Sequence, residues 1–425
     1  MTRHTFGRMR ALILILLFVS TIAHTALADS FNWPGWLGPK RNGWVPGVQA
    51  PKTWPKELTR GWQIETGQGY GSPLVSDGKV YQHARQGENE VLWCIDLSNG
   101  ERLWRQAYRV PFKIAGGGDF HGKGPKSSPV IAEGRVFTMG ITGVLTAWDA
   151  KSGKELWRRD YSNRYRGRFR KPHPNWGAST SPIADGNKVI VHFGTDKEGV
   201  LVALDVEDGT EIWSQGNDGA SYSSPLIAEI NGVRQVVEWN HNALVGVDIE
   251  TGKELWRHPF PHVGTNQNMP TPTIHKGRVI IGGENRGLHC VELLKIDNDW
   301  TVTEHWHERR LALDMASTIA NGDLVYGLSH YERRRLFCVD IDSGDIIWKG
   351  PERAGQNATF LAIPGHVLAL MDHGRLHVLK AGTKEFTKLA TYRVSNLPTW
   401  APPVLLPDGF LIKDNKNLTR WSFDR

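Results

Sequence analysis

The chain has 425 residues, a formal net charge of +7 and three cysteines. Three cysteines are too few for the disulfide framework of a small exported domain, and so mild a positive charge does not favour nucleic acid as a partner. The length fits either two or three ordinary domains or one closed array of repeated units.

The first 28 residues have the features of a secretory signal peptide. An arginine-bearing start is followed by an apolar run over residues 11–19 and by the small-residue exit Ala26-Leu27-Ala28, which is the order of regions in an export signal. The apolar run is short for a bilayer span, no second long one follows, and no cysteine stands near the cleavage point for lipid attachment. We expect an exported, periplasmic or otherwise extracytoplasmic protein with no transmembrane segment and no lipid anchor.

From residue 96 onward the chain repeats a pattern in which an Asp is followed by a Gly four positions later and a Trp eight positions later. The repeated triplets are Asp96, Gly100 and Trp104; Asp149, Gly153 and Trp157; Asp205, Gly209 and Trp213; Asp248, Gly252 and Trp256; and Asp340, Gly344 and Trp348. A period of roughly 40 to 55 residues in a β-rich sequence is typical of a propeller, whose radial units bury their faces against each other.

Each unit is predicted to be a four-stranded antiparallel meander. A Ser or Thr followed by Pro marks the start of strand A, at Ser72, Ser128, Ser181, Ser224 and Thr271. Strands B and C follow, and the Asp and Gly occupy the turn into strand D, which carries the Trp. We expect the Asp to accept hydrogen bonds from backbone N–H groups, the Gly to supply a positive φ, and the indole to fill the gap between neighbouring blades.

Degenerate copies complete the predicted ring. A sixth unit runs from Thr318 to Trp348, a seventh carries Lys380 and Phe386 in place of the Asp and Trp, and an eighth supplies three strands. Residues 60–64 precede the first Ser-Pro by the interval that a strand D requires, so we expect them to close the eighth blade. The prediction is an all-β, eight-bladed propeller forming a single domain over residues 29–425, with the Trp- and Pro-rich residues 29–59 packing on it.

The stretch from Ala147 to Trp157 shows the repeat as Ala-x-Asp-x-x-x-Gly-x-x-x-Trp. This pattern resembles the repeat of pyrroloquinoline-quinone (PQQ) type propellers, a superfamily that includes quinoprotein alcohol dehydrogenases and BamB-type outer-membrane assembly proteins. With its start at Trp33-Pro34-Gly35-Trp36, the chain most closely resembles exported PQQ-like or BamB-like propellers that have no assigned reaction. Such a resemblance implies the fold, whereas a function has to be argued from a site.

An antiparallel meander places the B–C turns and the D–A connections on one rim. The D–A connections are long and irregular at residues 110–126, 158–177 and 261–268, so we expect recognition on that rim. The arginines of the second connection suit an anionic ligand. The alternative is that this connection is simply a solvated loop. The candidate ligand- or partner-binding residues are Arg164, Arg166, Arg168, His121, His173, Trp176, Asn240, His241, His330 and His373.

The histidines of this rim raise the question of a metal site. We expect none, because equivalent positions of different blades lie on a wide ring. A PQQ dehydrogenase would, by the resemblance, require a calcium site of Glu, Asn and Asp, an Asp base and an adjacent Cys pair. The nearest residues of the right type are Glu284, Asn285 and Asp372, and the sequence has no adjacent Cys pair. No cofactor is therefore expected, and PQQ and calcium belong only to the dehydrogenase alternative.

The sequence thus favours an exported, non-catalytic, monomeric propeller that serves as a binding scaffold in the cell envelope. Its partner would be an envelope protein, a glycan or a small anionic ligand. The alternative function is a PQQ-dependent dehydrogenase with the quinone and calcium in the central funnel. A hydrolase is less favoured, because the sequence has no Gly-x-Ser-x-Gly element.

Overall fold

The Asp-Gly-Trp repeat folds into a closed ring of β-sheets. The structure, a computed structural model, describes residue 1 and residues 31–114, 118–163, 168–264 and 266–423. The described residues form eight four-stranded antiparallel sheets. Strand A of one blade contacts strand A of the next, as Leu74–Ser76 contacts Val130–Ala132 and Thr273–His275 contacts Ile319–Asn321, so the A strands surround the axis. The predicted all-β, eight-bladed propeller is confirmed.

The strands follow the predicted A to D order in every blade. Those of blades 1 and 2 are Leu74–Ser76 (β2), Lys79–Gln86 (β3), Asn89–Asp96 (β4), Arg102–Arg109 (β5), Val130–Ala132 (β6), Arg135–Met139 (β7), Val144–Asp149 (β8) and Glu155–Asp160 (β9). Those of blades 3 and 4 are Ile183–Asp185 (β10), Lys188–Gly194 (β11), Gly199–Asp205 (β12), Glu211–Gln215 (β13), Leu226–Ile230 (β14), Val233–Trp239 (β15), Ala243–Asp248 (β16) and Glu254–Pro259 (β17). A short 3-10 turn, Asp119–His121, lies in the connection between blades 1 and 2.

The second half of the ring continues in the same order. Blades 5 and 6 contain Thr273–His275 (β18), Arg278–Gly283 (β19), Gly287–Ile296 (β20), Asp299–Glu308 (β21), Ile319–Asn321 (β22), Leu324–Ser329 (β23), Arg335–Asp340 (β24) and Ile346–Lys349 (β25). Blades 7 and 8 contain Ala358–Ile363 (β26), His366–Met371 (β27), Arg375–Lys380 (β28), Lys388–Arg393 (β29), Val404–Leu406 (β30), Gly409–Lys413 (β31) and Asn417–Ser422 (β32). The fourth strand of blade 8 is Thr59–Glu65 (β1), which pairs antiparallel with β32. The predicted closure by an N-terminal strand is therefore confirmed.

The repeat Asp and Gly form the C–D turn as predicted. The Asp149 carboxylate accepts a hydrogen bond from the Ser152 N–H at 2.7 Å, and Asp248 accepts one from the Thr251 N–H at 2.8 Å. Gly153 has a φ of 73°, a conformation that a side chain would strain. The turn also places each Gly against the preceding blade.

The repeat indoles join successive blades. Trp157 of blade 2 packs over Gly209 of blade 3, where an added Cβ would lie 2.8 Å from the indole, and its Nε1–H donates to the Val206 carbonyl at 3.1 Å. The indole also packs over a Gly at Trp62 and Gly100, Trp104 and Gly153, Trp213 and Gly252, and Trp306 and Gly344. The Nε1–H bond to a backbone carbonyl recurs at Trp62, Trp213 and Trp306. Because Trp62 belongs to β1, the seam that closes the ring uses the same contact as the internal seams.

A chain of hydroxyl groups joins the blades near the axis. The Ser128 hydroxyl accepts the Ser72 N–H at 2.8 Å, the Ser181 hydroxyl accepts the Ser128 N–H at 3.0 Å, and Ser224 does the same for Ser181 at 3.0 Å. Thr271 and Ser317 continue the series. The Ser or Thr at the start of strand A therefore satisfies a buried N–H of the preceding blade, which explains its recurrence.

Candidate functional site

The D–A connections converge on a cavity of about 610 Å³ at the axis. The residue two positions before the Ser or Thr of strand A, or before its equivalent, lines this cavity in every blade. In blade order these residues are Tyr70, Lys126, Ser179, Tyr222, Met269, Met315, Asn357 and Trp400. The scaffold is repeated, but the eight blades present six different residue types to the cavity at this position. This is the arrangement expected of a recognition site on a repeat protein.

The N-terminal segment lies across the opposite end of this cavity. Its backbone bonds to strands A of three blades, through Trp33 N–H to Val75 O at 2.7 Å, Ile131 N–H to Pro34 O at 2.8 Å and Val45 N–H to Ala362 O at 2.8 Å. Trp36, Leu37 and Asn42 of the same segment line the cavity. The segment therefore forms a floor, and the D–A connections form the walls.

Arg41 fastens this floor to the ring. Its guanidinium is buried and donates to the carbonyl oxygens of Pro182 at 2.9 Å and Ser181 at 3.3 Å. Burial lowers the pKa of Arg41 to about 9. The bonds run to the start of strand A in blade 3, so the floor contacts blades on both sides of the axis.

Aromatic rings occupy two sectors of the cavity wall. On one side, Trp400 contacts the His121 ring edge-on at 4.6 Å and lies 6.2 Å from the Tyr70 ring. On another side, the rings of Trp176 and Tyr222 lie 5.5 Å apart. Aromatic side chains provide a large apolar contact area with few rotatable bonds, which suits them to binding surfaces.

Cationic and anionic groups line different sectors. The Lys126 ammonium donates to the Trp176 carbonyl at 2.8 Å, and burial lowers its pKa to about 8. Burial and the neighbouring Lys126 lower the pKa of His121 to about 4, so the His121 imidazole is neutral at neutral pH. Across the ring, burial raises the pKa of Asp314, and the charge of Glu284 raises it further. Both carboxylates line the cavity.

Two acceptor oxygens of blade 7 also line the cavity. Asn357 is only 5 % exposed, yet its Oδ1 has no hydrogen-bond partner among the described residues, and the same holds for the Thr359 Oγ1. A buried acceptor without a partner carries a free-energy penalty that a bound donor would relieve. The wall of blade 7 is therefore complementary to a ligand with N–H or O–H groups.

The predicted site residues separate into three groups. His121 and Trp176 line the cavity. Arg164 and Arg166 lie outside the described residues, and Arg168 lies over the Phe169 ring at 5.6 Å.

The remaining predicted site residues are not among the described residues that line the cavity. His173 Nδ1 contacts the Pro174 carbonyl at 2.7 Å, Asn240 Oδ1 caps its own B–C turn, and the His241 ring lies 3.8 Å from that of His262. His330 contacts Tyr331 at 4.9 Å, and His373 contacts Asp372 at 3.5 Å.

The polar residues of strand B include one buried pair that belongs to a seam. His192 of β11 contacts the Glu238 carboxylate of β15 at 2.6 Å, and both side chains are only 3 % exposed.

The site residues that sequence reasoning missed are Tyr70, Lys126, Tyr222, Asp314, Asn357 and Trp400. Their position before the Ser-Pro landmark is the signal that could have identified most of them.

The residues proposed for the dehydrogenase alternative do not form one oxygen cage. Glu284 lines the cavity, whereas Asn285 is exposed in a turn with a φ of 60°. The Asp372 Oδ1 accepts the Gln356 N–H at 3.0 Å, and Asp372 is not among the described residues that line the cavity. A calcium ion needs six to eight convergent oxygen atoms. These three residues therefore do not fit a calcium-bound PQQ.

Comparison with known proteins places the ring in a family. Residues 88–350 match the family model described as "Outer membrane protein assembly factor BamB". The chain belongs to this family. Proteins of the same name from Moranella endobia and Shewanella oneidensis are 26 % and 24 % identical to it over 318 and 271 residues. These alignments cover 72 % and 62 % of this chain and 76 % and 65 % of the two relatives.

Solved structures of other proteins share this fold. BamB from Moraxella catarrhalis has a TM-score of 0.62 at 15 % identity, covering 87 % of this chain and 98 % of that one. Quinohemoprotein alcohol dehydrogenase from Comamonas testosteroni has a TM-score of 0.66 at 14 % identity, covering 92 % of this chain and 80 % of that one. The same blades therefore occur in assembly factors and in enzymes, so the shared fold does not decide the function. The described residues include no helix of the length and hydropathy needed to cross a membrane.

Proposed function

We propose that this BamB-like propeller is exported to the cell envelope, where it acts as a non-catalytic scaffold that binds a partner protein. The binding face is the rim formed by the D–A connections, with the aromatic and polar walls of the axial cavity at its centre. The observation that carries the proposal is the convergence on this cavity of one side chain from each blade, with six residue types among the eight blades. The names of the matched relatives, outer membrane protein assembly factors, support a role in assembly at the envelope.

Exposed apolar residues on the same rim favour a protein over a small ligand. Phe120, in the connection between blades 1 and 2, is 70 % exposed, and Val263, in the connection between blades 4 and 5, is 56 % exposed. Large exposed apolar side chains beside an aromatic cavity are typical of protein interaction surfaces. The carboxylates of Glu284 and Asp314 make the cavity less suitable for a small anion.

Photo-crosslinking in the native host tests the proposal. A photoreactive phenylalanine analogue at position 120 or 263 is expected to crosslink the exported full-length chain to the same envelope protein. The analogue at position 103 is the matched control, because Leu103 is also exposed, at 42 %, but lies on the outer strand β5. Crosslinking from position 103 that equals that from the rim would contradict the proposed face.

Variants of the cavity wall provide a second test. We expect Trp400→Ala or Tyr222→Ala to reduce the rim crosslink on the order of ten-fold, because aromatic residues at the centre of an interface contribute most of its binding free energy. Cell fractionation with sequencing of the mature N-terminus checks the export. Retention of the uncleaved chain in the cytoplasm would exclude an envelope role.

A further inference from the structure

The longest hairpin of the described blades carries a cluster of metal-ligating side chains. β20 and β21 each have ten residues, and His289 of β20 is the direct cross-strand partner of His307 of β21. Glu304 pairs with Val291, two residues beyond His289 on the same face of β20. The cluster lies on the outer strands of blade 5, so it is distinct from the axial cavity.

The three side chains are close enough to share one ion. The Nδ1 of His289 lies 2.7 Å from the Glu304 Oε2, and the rings of His289 and His307 stack with centroids 3.8 Å apart. One ligand atom from each of the three residues lies within 4.8 Å of the others. Gly287 permits the approach, because a Cβ there would lie 2.3 Å from the His307 Nε2.

A backbone carbonyl orients both imidazoles. The carbonyl oxygen of Arg286 lies 2.7 Å from the His289 Nε2 and 3.1 Å from the His307 Nε2. A carbonyl only accepts hydrogen bonds, so each Nε2 carries a hydrogen, and in the neutral imidazole the Nδ1 then keeps its lone pair. A carbonyl that accepts the second N–H of a histidine is a common outer-shell feature of metal sites.

This tautomer leaves two acceptors facing each other. The Nδ1 lone pair of His289 points at a carboxylate oxygen 2.7 Å away, and two acceptors repel unless a positive charge lies between them. A metal ion ligated by both groups supplies such a charge. The His307 ring stacks on the His289 ring and brings a second imidazole to the same place.

We propose that His289, Glu304 and His307 bind a divalent transition-metal ion of the zinc class. Two imidazoles and one carboxylate suit zinc, nickel or copper and do not suit calcium or magnesium, which prefer oxygen ligands. Three protein ligands, with Glu304 about half exposed at 47 %, leave a coordination position for water or for a donor from a partner. This site does not depend on the proposed function of the rim, and it departs from the sequence-based expectation of no metal.

Metal titration of the purified mature chain tests the site. After treatment with a chelator, the protein is expected to bind one equivalent of Zn²⁺ by calorimetry and elemental analysis, and Co²⁺ in its place is expected to give visible absorption bands. Replacing a ligand while preserving its shape, as in Glu304→Gln or His307→Gln, is expected to weaken binding on the order of ten-fold or more.

His305→Gln is the matched control. His305 lies between the two ligands on β21, but its Nε2 contacts the Asp342 carbonyl of blade 6 at 2.9 Å, so its replacement should leave the affinity unchanged. Absence of stoichiometric Zn²⁺ in the wild-type chain would overturn the proposal. Equal weakening by all three variants would also overturn it, and the circular dichroism spectrum of each variant identifies any loss of fold.

Discussion

The two rims of the propeller are built from the same repeat, but they differ in how much their turns and connections vary from blade to blade. On the C–D rim, the turns bonded by a repeat Asp are nearly identical, and in five seams a Gly lies under the indole of the preceding blade. On the D–A rim, the connections differ in length, and the eight blades present six different residue types to the cavity at one equivalent position. The comparison shows how a repeat protein separates stability from recognition: uniform contacts hold the ring together, and the other edge is free to diverge.

The largest effect is expected from removing one seam indole. Trp157 is 8 % exposed and packs over Gly209, so Trp157→Ala should lower the free energy of unfolding by about 3–5 kcal/mol. Trp176, on the cavity wall and half-buried, is the matched control, and Trp176→Ala should cost less than about 1.5 kcal/mol. Urea unfolding followed by circular dichroism measures both. Equal losses in the free energy of unfolding would show that the two rims contribute equally to stability.

A glycine pair in blade 3 repeats the comparison on a smaller scale. Gly209 has a φ of 70°, and a Cβ there would lie 2.8 Å from Trp157, whereas Gly216 has a φ of 77° with nothing within 4 Å. Gly209→Ala should therefore cost about 2–4 kcal/mol, from backbone strain and overpacking together, and Gly216→Ala about 1 kcal/mol from strain alone. Similar unfolding midpoints for the two variants would contradict the packing role of the seam glycines.

The hydroxyl chain near the axis provides the next test. Ser128→Ala leaves the buried N–H of Ser72 without its acceptor, which should cost about 1–3 kcal/mol. Ser98→Ala is the control, since Ser98 is exposed on a C–D turn, and it should change stability by less than about 0.5 kcal/mol. Thermal unfolding of both variants would reveal whether the inner hydroxyls stabilise the ring.

The smallest effect concerns pH and the buried pair of His192 and Glu238. Burial alone lowers the pKa of His192, but Glu238, the Asp218 carbonyl and the Asp218 charge outweigh it and raise the pKa. A raised pKa means that the stabilisation is complete below the unfolded value of about 6.5 and is lost as the pH rises through the folded value. The stability difference between the wild type and His192→Gln should therefore narrow on the order of 1 kcal/mol from about pH 6 to about pH 9. Urea unfolding across this range checks the sign, and a widening difference would contradict it.

The fold was predictable from the sequence because its determinants are local and repeated. The Asp, Gly and Trp act within one turn and across one seam, so every copy of the repeat predicts the same local structure. Spacing alone was enough to assign residues 60–64 to the last blade. The signal peptide predicted for residues 1–28 lies almost entirely outside the described residues and stays a prediction.

The site was less predictable because it depends on convergence. Asp314 and Glu284 come from different blades, and only the closed ring places both in one cavity. His192 lies on strand B of blade 3, where the alternation of side chains directs it into the seam with blade 4. His289 and His307 become neighbours only through the register of β20 and β21, which no spacing rule for a single strand contains.

Closure by a strand from the opposite end of the chain also constrains how the molecule folds. Thr59 pairs with Ser422 and Ile64 with Leu418, so the eighth sheet joins two segments that are separated in sequence by the seven other blades. Contacts so distant in sequence form slowly, because the entropy of closing the intervening chain must be overcome first. Blades 1 to 7 can assemble in order along the chain, whereas β1 has no strand to pair with until β32 is in place. Until that pairing forms, two sheet edges stay open to other strands, so the interval before closure is the stage most vulnerable to aggregation.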